Sequence, residues 1–367
     1  MGVDLGIKFA LAGVWLFIVL ILAGMQTWLE RKQSALMQDR VGANRAYFEL
    51  PWRWAAPINW VLRKLGGLGI LHALADVIKL VTKEDFIPAT ADRFLHTLSP
   101  WISVFFALIA FAAIPFGDSL VINGRVIELQ VAHIDAALLY VLALASLGIY
   151  GVILAGMSSR TNLSSLGGLR AVSQMLAYEI ALGVSLVGIV IWYGTLDLQA
   201  IIRAQSHVWG VFIQPLGCLV FMTAALAETK RNPFDLPEGE PEIIGYFVEY
   251  SGMKFGLFFL TDFVEVVLIS ALTSVLFFGG WQVPFLGPDG FAFPWGGVMA
   301  LSRGMVVTFG VLAFLGKMMF FIWLFMAIRW TLPRFRYDQL MYLGWKTLFP
   351  ICLANIAVTA VLRVVIP

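Results

Sequence analysis

Eight apolar segments constrain this chain more than any other feature. Each contains about 20 residues, which is enough for an α-helix to cross the roughly 30 Å hydrocarbon core of a bilayer. The chain is 60% apolar and 13% charged, with a mean hydropathy of +0.86, which lies outside the range of soluble domains. We therefore predict an all-α polytopic membrane protein, one membrane domain over 1–367, with eight transmembrane helices at about 7–29, 97–116, 134–157, 171–193, 208–227, 254–279, 304–328 and 345–365.

The basic residues predict the orientation of these helices. Four segments on one side of the membrane, at 30–93, 158–170, 228–254 and 329–346, hold 19 lysines and arginines, whereas the other side holds five. Cytoplasmic loops carry the excess of Lys and Arg in membrane proteins. We therefore expect these segments in the cytoplasm and both termini outside. The apolar segment 7–29 has no small-residue cleavage site after it, so we do not expect a cleavable signal peptide.

The cytoplasmic segment 30–93 is predicted to lie at the membrane interface. Its aromatic and basic side chains are of the interfacial type, for example Trp52, Trp54 and Arg63. After the glycines at 66–69, apolar residues recur at helical spacing from Leu71 to Val81, which predicts an amphipathic helix. Such a helix either lies on the bilayer surface or covers a cavity beside the acidic loop described next.

The predicted loop 228–254 is acidic and rich in proline. It carries six carboxylates, and prolines at 233, 237 and 241 prevent a regular helix through its first half. A solvated acidic loop is one interpretation. The loop also contains large apolar residues such as Phe234, Leu236 and Tyr246, which would give a solvated loop no advantage. We therefore favour a loop folded into the protein, lining a cavity at membrane depth, where irregular backbone is tolerated.

Acidic residues also occur within or at the ends of the predicted helices, where each costs at least about 2.5–3.5 kcal/mol on insertion scales. A static ion pair or a protonated, hydrogen-bonded acid would explain any one of them. Lys317 is the only cation deep within the predicted helices, too few to pair with all the acids. The set therefore favours a proton path. Its predicted members are Glu179, Glu228, Asp262, Glu265 and Lys317.

Cysteine and histidine give no sign of a redox centre. The two cysteines, Cys218 and Cys352, lie far apart in apolar segments, and no Cys spacing suits a metal or a cluster. The four histidines are scattered. We therefore expect no cofactor bound by this chain alone and no metal site. The net charge of +2 gives no reason to expect a nucleic-acid partner.

Several motifs in order resemble one known family, the NuoH family of membrane subunits of the proton-translocating NADH:quinone oxidoreductase, respiratory complex I. The resemblance covers nearly the whole chain. The motifs that carry it are Glu30-Arg31-Lys32, Gln38-Asp39-Arg40-Val41-Gly42, Ala75-Asp76-Val77-Ile78-Lys79, Tyr178-Glu179, Ala227-Glu228-Thr229, Asn232-Pro233-Phe234-Asp235-Leu236-Pro237-Glu238, Glu249-Tyr250-Ser251 and Arg334-Phe335-Arg336-Tyr337-Asp338-Gln339-Leu340.

The resemblance implies that the chain forms much of the quinone-binding chamber, at the junction with the peripheral arm, with quinone (ubiquinone or menaquinone) as the substrate. Glu179, Glu228 and Asp262 would begin an acidic path from the chamber toward the antiporter-like subunits. The residues expected to line or brace the chamber are Glu30, Arg31, Arg40, Ala75, Asp76, Lys79, Phe234, Asp235, Glu238, Glu240, Glu242, Arg334 and Arg336.

The resemblance also implies partners and a location. Peripheral-arm subunits would cover the cytoplasmic loops, and small membrane subunits and antiporter-like subunits would lie alongside. The protein would be a multi-pass component of the bacterial cytoplasmic (inner) membrane, in contact with lipid and quinone.

Two other functions fit parts of the sequence. A homologous membrane subunit of an energy-converting hydrogenase-type complex is one, but the full-length acidic loop and Arg336-Tyr337-Asp338-Gln339 favour the quinone enzyme. A stand-alone ion-coupled transporter is the other. It would need a midplane site on broken helices, and no predicted span has paired Gly/Pro interruptions. Copurification with a peripheral arm distinguishes a subunit from a transporter.

Overall fold

Long α-helices make up most of this protein. The structure, a computed structural model, describes residues 2–122, 125–237, 245–287, 290–292 and 297–365. The helices in chain order are α1 (Gly2–Met37), α2 (Ala56–Leu68), α3 (Leu71–Thr82), α4 (Arg93–Ile109), α5 (Ala137–Ser158), α6 (Asn162–Tyr193), α7 (Leu198–Ala204), α8 (Gly210–Ile213), α9 (Pro215–Glu228), α10 (Gly252–Phe277), α11 (Arg303–Thr331), α12 (Tyr337–Tyr342) and α13 (Phe349–Val365).

Seven helices within the described ranges are long and apolar enough to cross a membrane. They are α1, α4 with its 3-10 continuation Ala110–Ala113, α5, α6, α10, α11, and the continuous stretch Tyr337–Val365, in which a π-helical turn (Leu343–Leu348) joins α12 to α13. These confirm the all-α fold class and match seven of the eight predicted spans.

The predicted span at 208–227 is built differently. It consists of α8 and α9, two short helices that meet at Pro215. Proline removes an amide donor and is favoured in the first turn of a helix, so α9 starts there. With 14 residues, α9 is about 21 Å long, less than the hydrocarbon thickness. Hydropathy alone does not reveal this break.

The interfacial segment contains α2 and α3, which meet at an angle of 88°. α2 ends at Gly69, whose φ of 85° lies in the left-handed region. A Cβ there would lie 2.1 Å from the carbonyl oxygen of Ala43, so only glycine fits this turn. The predicted amphipathic helix after Gly69 is confirmed as α3. Its apolar side chains Leu74, Ile78 and Val81 are exposed in this chain.

α10 is the central helix of the bundle. From Val266 to Phe277 every residue is buried, and the helix packs against α1, α3, α4 and α11. The described strands are short. An antiparallel hairpin of β1 (Leu120–Ile122) and β2 (Arg125–Ile127) and a three-stranded antiparallel sheet of β3 (Leu286–Gly287), β4 (Gly290–Ala292) and β5 (Val298–Ala300) lie in loops between long helices.

Candidate functional site

The chain after α9 turns back into the helix bundle. Phe234 and Leu236 are 4% and 3% exposed, and Tyr246, beyond the undescribed residues 238–244, is 1% exposed. The described part of the acidic loop is therefore folded into the protein, as predicted. Gln174 of α6 holds the turn in place, because its Nε2 donates to the carbonyl oxygens of both Ala227 and Phe234.

Lys230 is the first charged residue of this turn, and it points into the bundle. Its φ of 54° is in the left-handed region, and its side chain is 2% exposed. The Nζ atom lies 3.2 Å from Oδ1 of Asp262 and 3.9 Å from Oε2 of Glu265. The two acids, one helical turn apart on α10, therefore face a single buried ammonium group.

This contact corrects the prediction that Lys317 is the only cation among the buried acids. We expected Lys230 and Arg231 in a loop, whereas the turn carries both into the protein interior. The sequence does contain a sign of these cations, because Lys230 and Arg231 closely follow Glu228, the acid that ends the apolar helix. What the sequence does not contain is the direction in which the turn folds.

Glu228 and Glu265 line a small internal cavity between α4, α5, α6 and α10. Its volume is about 30 Å³. Since a water molecule occupies about 10–15 Å³ on this measure, the cavity has room for about two waters. The other lining residues are apolar, among them Val141, Met175 and Leu182. Met175 and Leu182 flank Glu179 on α6 at helical spacing, and Glu228 is within electrostatic reach of both Glu179 and Glu265.

Lys317 lies apart from this cluster. Its ammonium group donates to the carbonyl oxygens of Phe278, Gly280 and Gln282 at 2.6, 2.9 and 2.8 Å. These carbonyls follow the end of α10, where backbone acceptors lack helical partners. A cation at a helix C-terminus is also favoured by the helix dipole. The structure thus gives Lys317 a role in holding the end of α10 against α11.

Glu30 connects α1 to the turn after α9. Its carboxylate lies 3.5 Å from Nη1 of Arg231 and 2.8 Å from Nη1 of Arg329. The guanidinium of Arg231 also lies 4.2 Å from the ring centroid of Phe263. Because Phe263 directly follows Asp262 in the sequence, this contact places Arg231 beside the same turn of α10 that carries Asp262.

A second ion pair links α1 to the interfacial segment. Nη2 of Arg31 lies 2.6 Å from Oδ2 of Asp76, with both side chains partly exposed. Ala75 and Lys79, on the same helix α3, are exposed, as is Arg40 beyond the end of α1. Of the predicted chamber residues, Arg31 therefore lies on α1, and Ala75, Asp76 and Lys79 lie on α3, the helix that Arg31 contacts.

Asp235 and Arg334 join the turn to the segment after α11. Nη2 of Arg334 donates to Oδ2 of Asp235 at 2.7 Å. Burial raises the pKa of Asp235, while the guanidinium of Arg334 acts in the opposite direction. Beside them, the ring of Phe234 stacks on Phe335 with centroids 5.4 Å apart. These contacts fix the position of the turn.

Arg336 lies outside this packed region. It pairs with exposed Asp338, at 3.3 Å, on the first turn of α12. The predicted chamber residues Glu238, Glu240 and Glu242 lie outside the described residues. The structure therefore brings together Arg31 and Asp76 where α1 meets α3, and Glu30 with Arg231 where α1 meets the turn. It places Phe234, Asp235 and Arg334 together at the turn, and Glu179, Glu228, Asp262 and Glu265 in the bundle.

Comparison with known proteins gives a consistent result. The family model described as NADH dehydrogenase matches residues 9–360. The chain is 42% identical over 359 residues to the second H-type subunit of NADH-quinone oxidoreductase from Geobacter sulfurreducens, covering 98% of this chain and 97% of that protein. It is 41% identical over 344 residues to the first H-type subunit from Cytophaga hutchinsonii, covering 93% and 92%. It is 43% identical over 351 residues to NADH-quinone oxidoreductase subunit 8 of Rhodothermus marinus, covering 93% of each.

Proposed function

The chain belongs to the NADH dehydrogenase family of membrane subunits, the H-type subunits of NADH-quinone oxidoreductase, and from this premise we propose how its residues serve the complex. The resemblance stated from the motifs is confirmed. The protein is a multi-pass membrane subunit of complex I, a proton-translocating oxidoreductase whose other subunits are its partners. We propose that it contributes the membrane wall of the quinone chamber and the first acids of the proton path.

The proposed chamber wall consists of the surface of α1 and α3 together with the turn after α9. Leu74, Ile78 and Val81 on α3 are 51%, 54% and 62% exposed in this chain, which suits contact with the apolar tail of a quinone. The nearby Arg31–Asp76 pair would hold α3 against α1. Long apolar ligands bury most of their surface in a lined cleft, and the exposed Ala75 leaves space for such a ligand.

The proposed proton path begins at Glu228. One observation carries this part of the proposal: Glu228 and Glu265 share a cavity large enough for about two waters, while Lys230 lies between Asp262 and Glu265. Carboxylates joined by water exchange protons without a change in the backbone. Lys230 would stabilise whichever neighbouring acid is ionised. Glu179, on the α6 side of the cavity, would be the next acid in the path.

The charge distribution supports the proposed orientation, and the orientation indicates which surfaces the other subunits would cover. With 19 cations on the side of the turn and five on the other, the turn and α3 would face the cytoplasm and both termini the outside of a bacterial inner membrane. Peripheral-arm subunits would then cover α3 and the segment after α11. Antiporter-like subunits would lie beside the bundle, and the proton path would lead toward them.

The experiment that tests this proposal is Glu228→Gln in the intact complex. Gln keeps the size and hydrogen-bonding capacity of Glu but does not release a proton. We expect normal complex content in membranes, normal NADH oxidation by a water-soluble acceptor, and at least a tenfold loss of both quinone reduction and proton pumping. Glu128→Gln, the same change at an exposed position at the other end of the bundle, is the control and should be silent. Wild-type pumping by Glu228→Gln would remove Glu228 from the path.

A further inference from the structure

A cavity of about 460 Å³ lies at the end of the bundle away from the acid cluster. It is bounded by the end of α7, the start of α11 and the loop that follows α10. Its size is within the range of 300–1,000 Å³ typical of small-molecule sites. The walls are largely apolar and aromatic, with Trp209, Trp281, Phe285, Val306 and Val307 among the lining residues.

The charged residues of this cavity leave an excess positive charge. Asp118 accepts a hydrogen bond from Arg303, which also donates to the carbonyl oxygen of Ser119 at 3.3 Å. Arg203 lies 3.5 Å from the other oxygen of Asp118, and its side chain is 53% exposed. One carboxylate thus faces two guanidinium groups. Arg203 makes no other ion pair within the described ranges, so most of its five N–H donors remain for an anion.

The position of the cavity relates it to the bilayer. On α11, Met305, Phe309 and Leu312 are 55%, 45% and 57% exposed, as expected for the lipid-facing side of a spanning helix. Residues on the adjacent face of the same helix, such as Val307, line the cavity. Tryptophan is enriched where hydrocarbon meets water. These features favour a position at the level of the lipid head groups, beside a surface suited to acyl chains.

We propose that this cavity binds the head group of a phospholipid. The phosphate would accept hydrogen bonds from Arg203 and balance the excess positive charge that two guanidinium groups leave around one carboxylate. The acyl chains would lie along the exposed side of α11. Arginine donors in a fork suit phosphate oxygens. This site is separate from the proposed chamber and from the acid cluster.

The test uses the intact complex in nanodiscs that contain a photoactivatable phosphatidylglycerol as the probe. Arg203→Gln removes the guanidinium, and Ser206→Trp fills the cavity from its exposed edge without changing the charge. Each should reduce labelling of this chain by at least tenfold, equivalent to about 1.4 kcal/mol. Arg363→Gln is the matched control. Arg363 lies 5.8 Å from the ring of Trp192 and does not line the cavity, so labelling should be unchanged.

Three results would overturn the proposal. Equal labelling in all three variants would show that the cavity is not a lipid site. Labelling that inorganic phosphate abolishes, without an effect of lipid composition, would show a phosphate site. A crosslink from this cavity to a neighbouring subunit in the complex would show that protein covers it. Quinone reductase activity should stay at the wild-type level in each variant, so failure here is distinguishable from failure of the proton-path proposal.

Discussion

Replacement of Lys230 by methionine tests the least expected contact in the structure. The change keeps an unbranched, flexible side chain of similar length and removes the charged ammonium group. Asp262 and Glu265 then face each other in the bundle without their shared cation. Because the pair is nearly inaccessible, with exposed fractions of 2% for Lys230 and 8% for Asp262, water does little to screen the change.

The size of the effect follows from the two distances. At an effective dielectric constant of about 20, Coulomb's law gives an attraction of about 5 kcal/mol at the 3.2 Å separation from Asp262 and about 4 kcal/mol at the 3.9 Å separation from Glu265. Desolvation of the buried ions cancels part of this attraction. Removing one partner of a buried pair typically costs about 3–5 kcal/mol, and we expect Lys230→Met to fall in that range.

The assay is the temperature at which half of the subunit is lost from the purified complex, together with quinone reductase activity. Lys230→Met should lower both. The double variant Lys230→Met/Asp262→Asn removes both charges of the closer pair and should recover part of the stability, with a coupling of about 1–3 kcal/mol. Lys346→Met, the same change at an exposed position, should change stability by less than about 0.5 kcal/mol. If the stability losses of Lys230→Met and of Asp262→Asn, each made alone, add up to that of the double variant, Lys230 and Asp262 do not interact and the reasoning fails.

Three further predictions concern the chamber, the turn and the orientation. Ala75→Trp should obstruct the quinone, so that quinone reduction falls while electron transfer from NADH to a water-soluble acceptor survives; equal loss of both activities would indicate failed assembly. Because burial raises the pKa of Asp235 above the usual aspartate value of 3.8, the folded protein binds this proton more tightly than the unfolded chain, and the stability that the site contributes falls as the pH rises from that value. The dissociation temperature should therefore decrease less with rising pH in Asp235→Asn than in wild type. A cysteine at exposed Asn162 should react only with a reagent added on the cytoplasmic side, and one at exposed Ser206 only from outside; the reverse pattern would invert the topology.

Hydropathy was sufficient to predict most of the helices. The segments that form α1, α5, α6 and α10 each contain enough apolar residues to span the bilayer, and in lipid a helix is the one structure that satisfies their backbone groups locally. The amphipathic pattern from Leu71 to Val81 likewise determined α3. In these cases the information lies within one contiguous segment. The break at Pro215 was missed because the apolar residues on its two sides form one unbroken hydropathic segment.

The acid cluster depends on contacts between distant parts of the chain. Lys230 and Asp262 are 32 residues apart, and Glu30 lies 201 residues from Arg231. Charge counts show that buried acids require partners. They do not show which cation a turn places in the protein interior. Lys317 illustrates the same limit, because its three backbone acceptors come from the loop after α10 and have no sequence signature. Glu30 and Asp76 were identified only through family motifs.

The turn after α9 connects the two parts of the proposed function. Its consecutive residues Lys230 and Arg231 bind acids on different helices, since Lys230 contacts Asp262 on α10 and Arg231 contacts Glu30 on α1. Glu30 lies beside the proposed chamber, while Asp262 lies in the proposed path. Phe234, four residues after Lys230, accepts a hydrogen bond from Gln174 and stacks on Phe335, so the turn is one packed unit. Because the two cations are consecutive, any displacement of this turn would change the distances of both from their acids together, and Coulomb energies of several kcal/mol at separations of about 3–4 Å are large enough to alter which acid holds the proton.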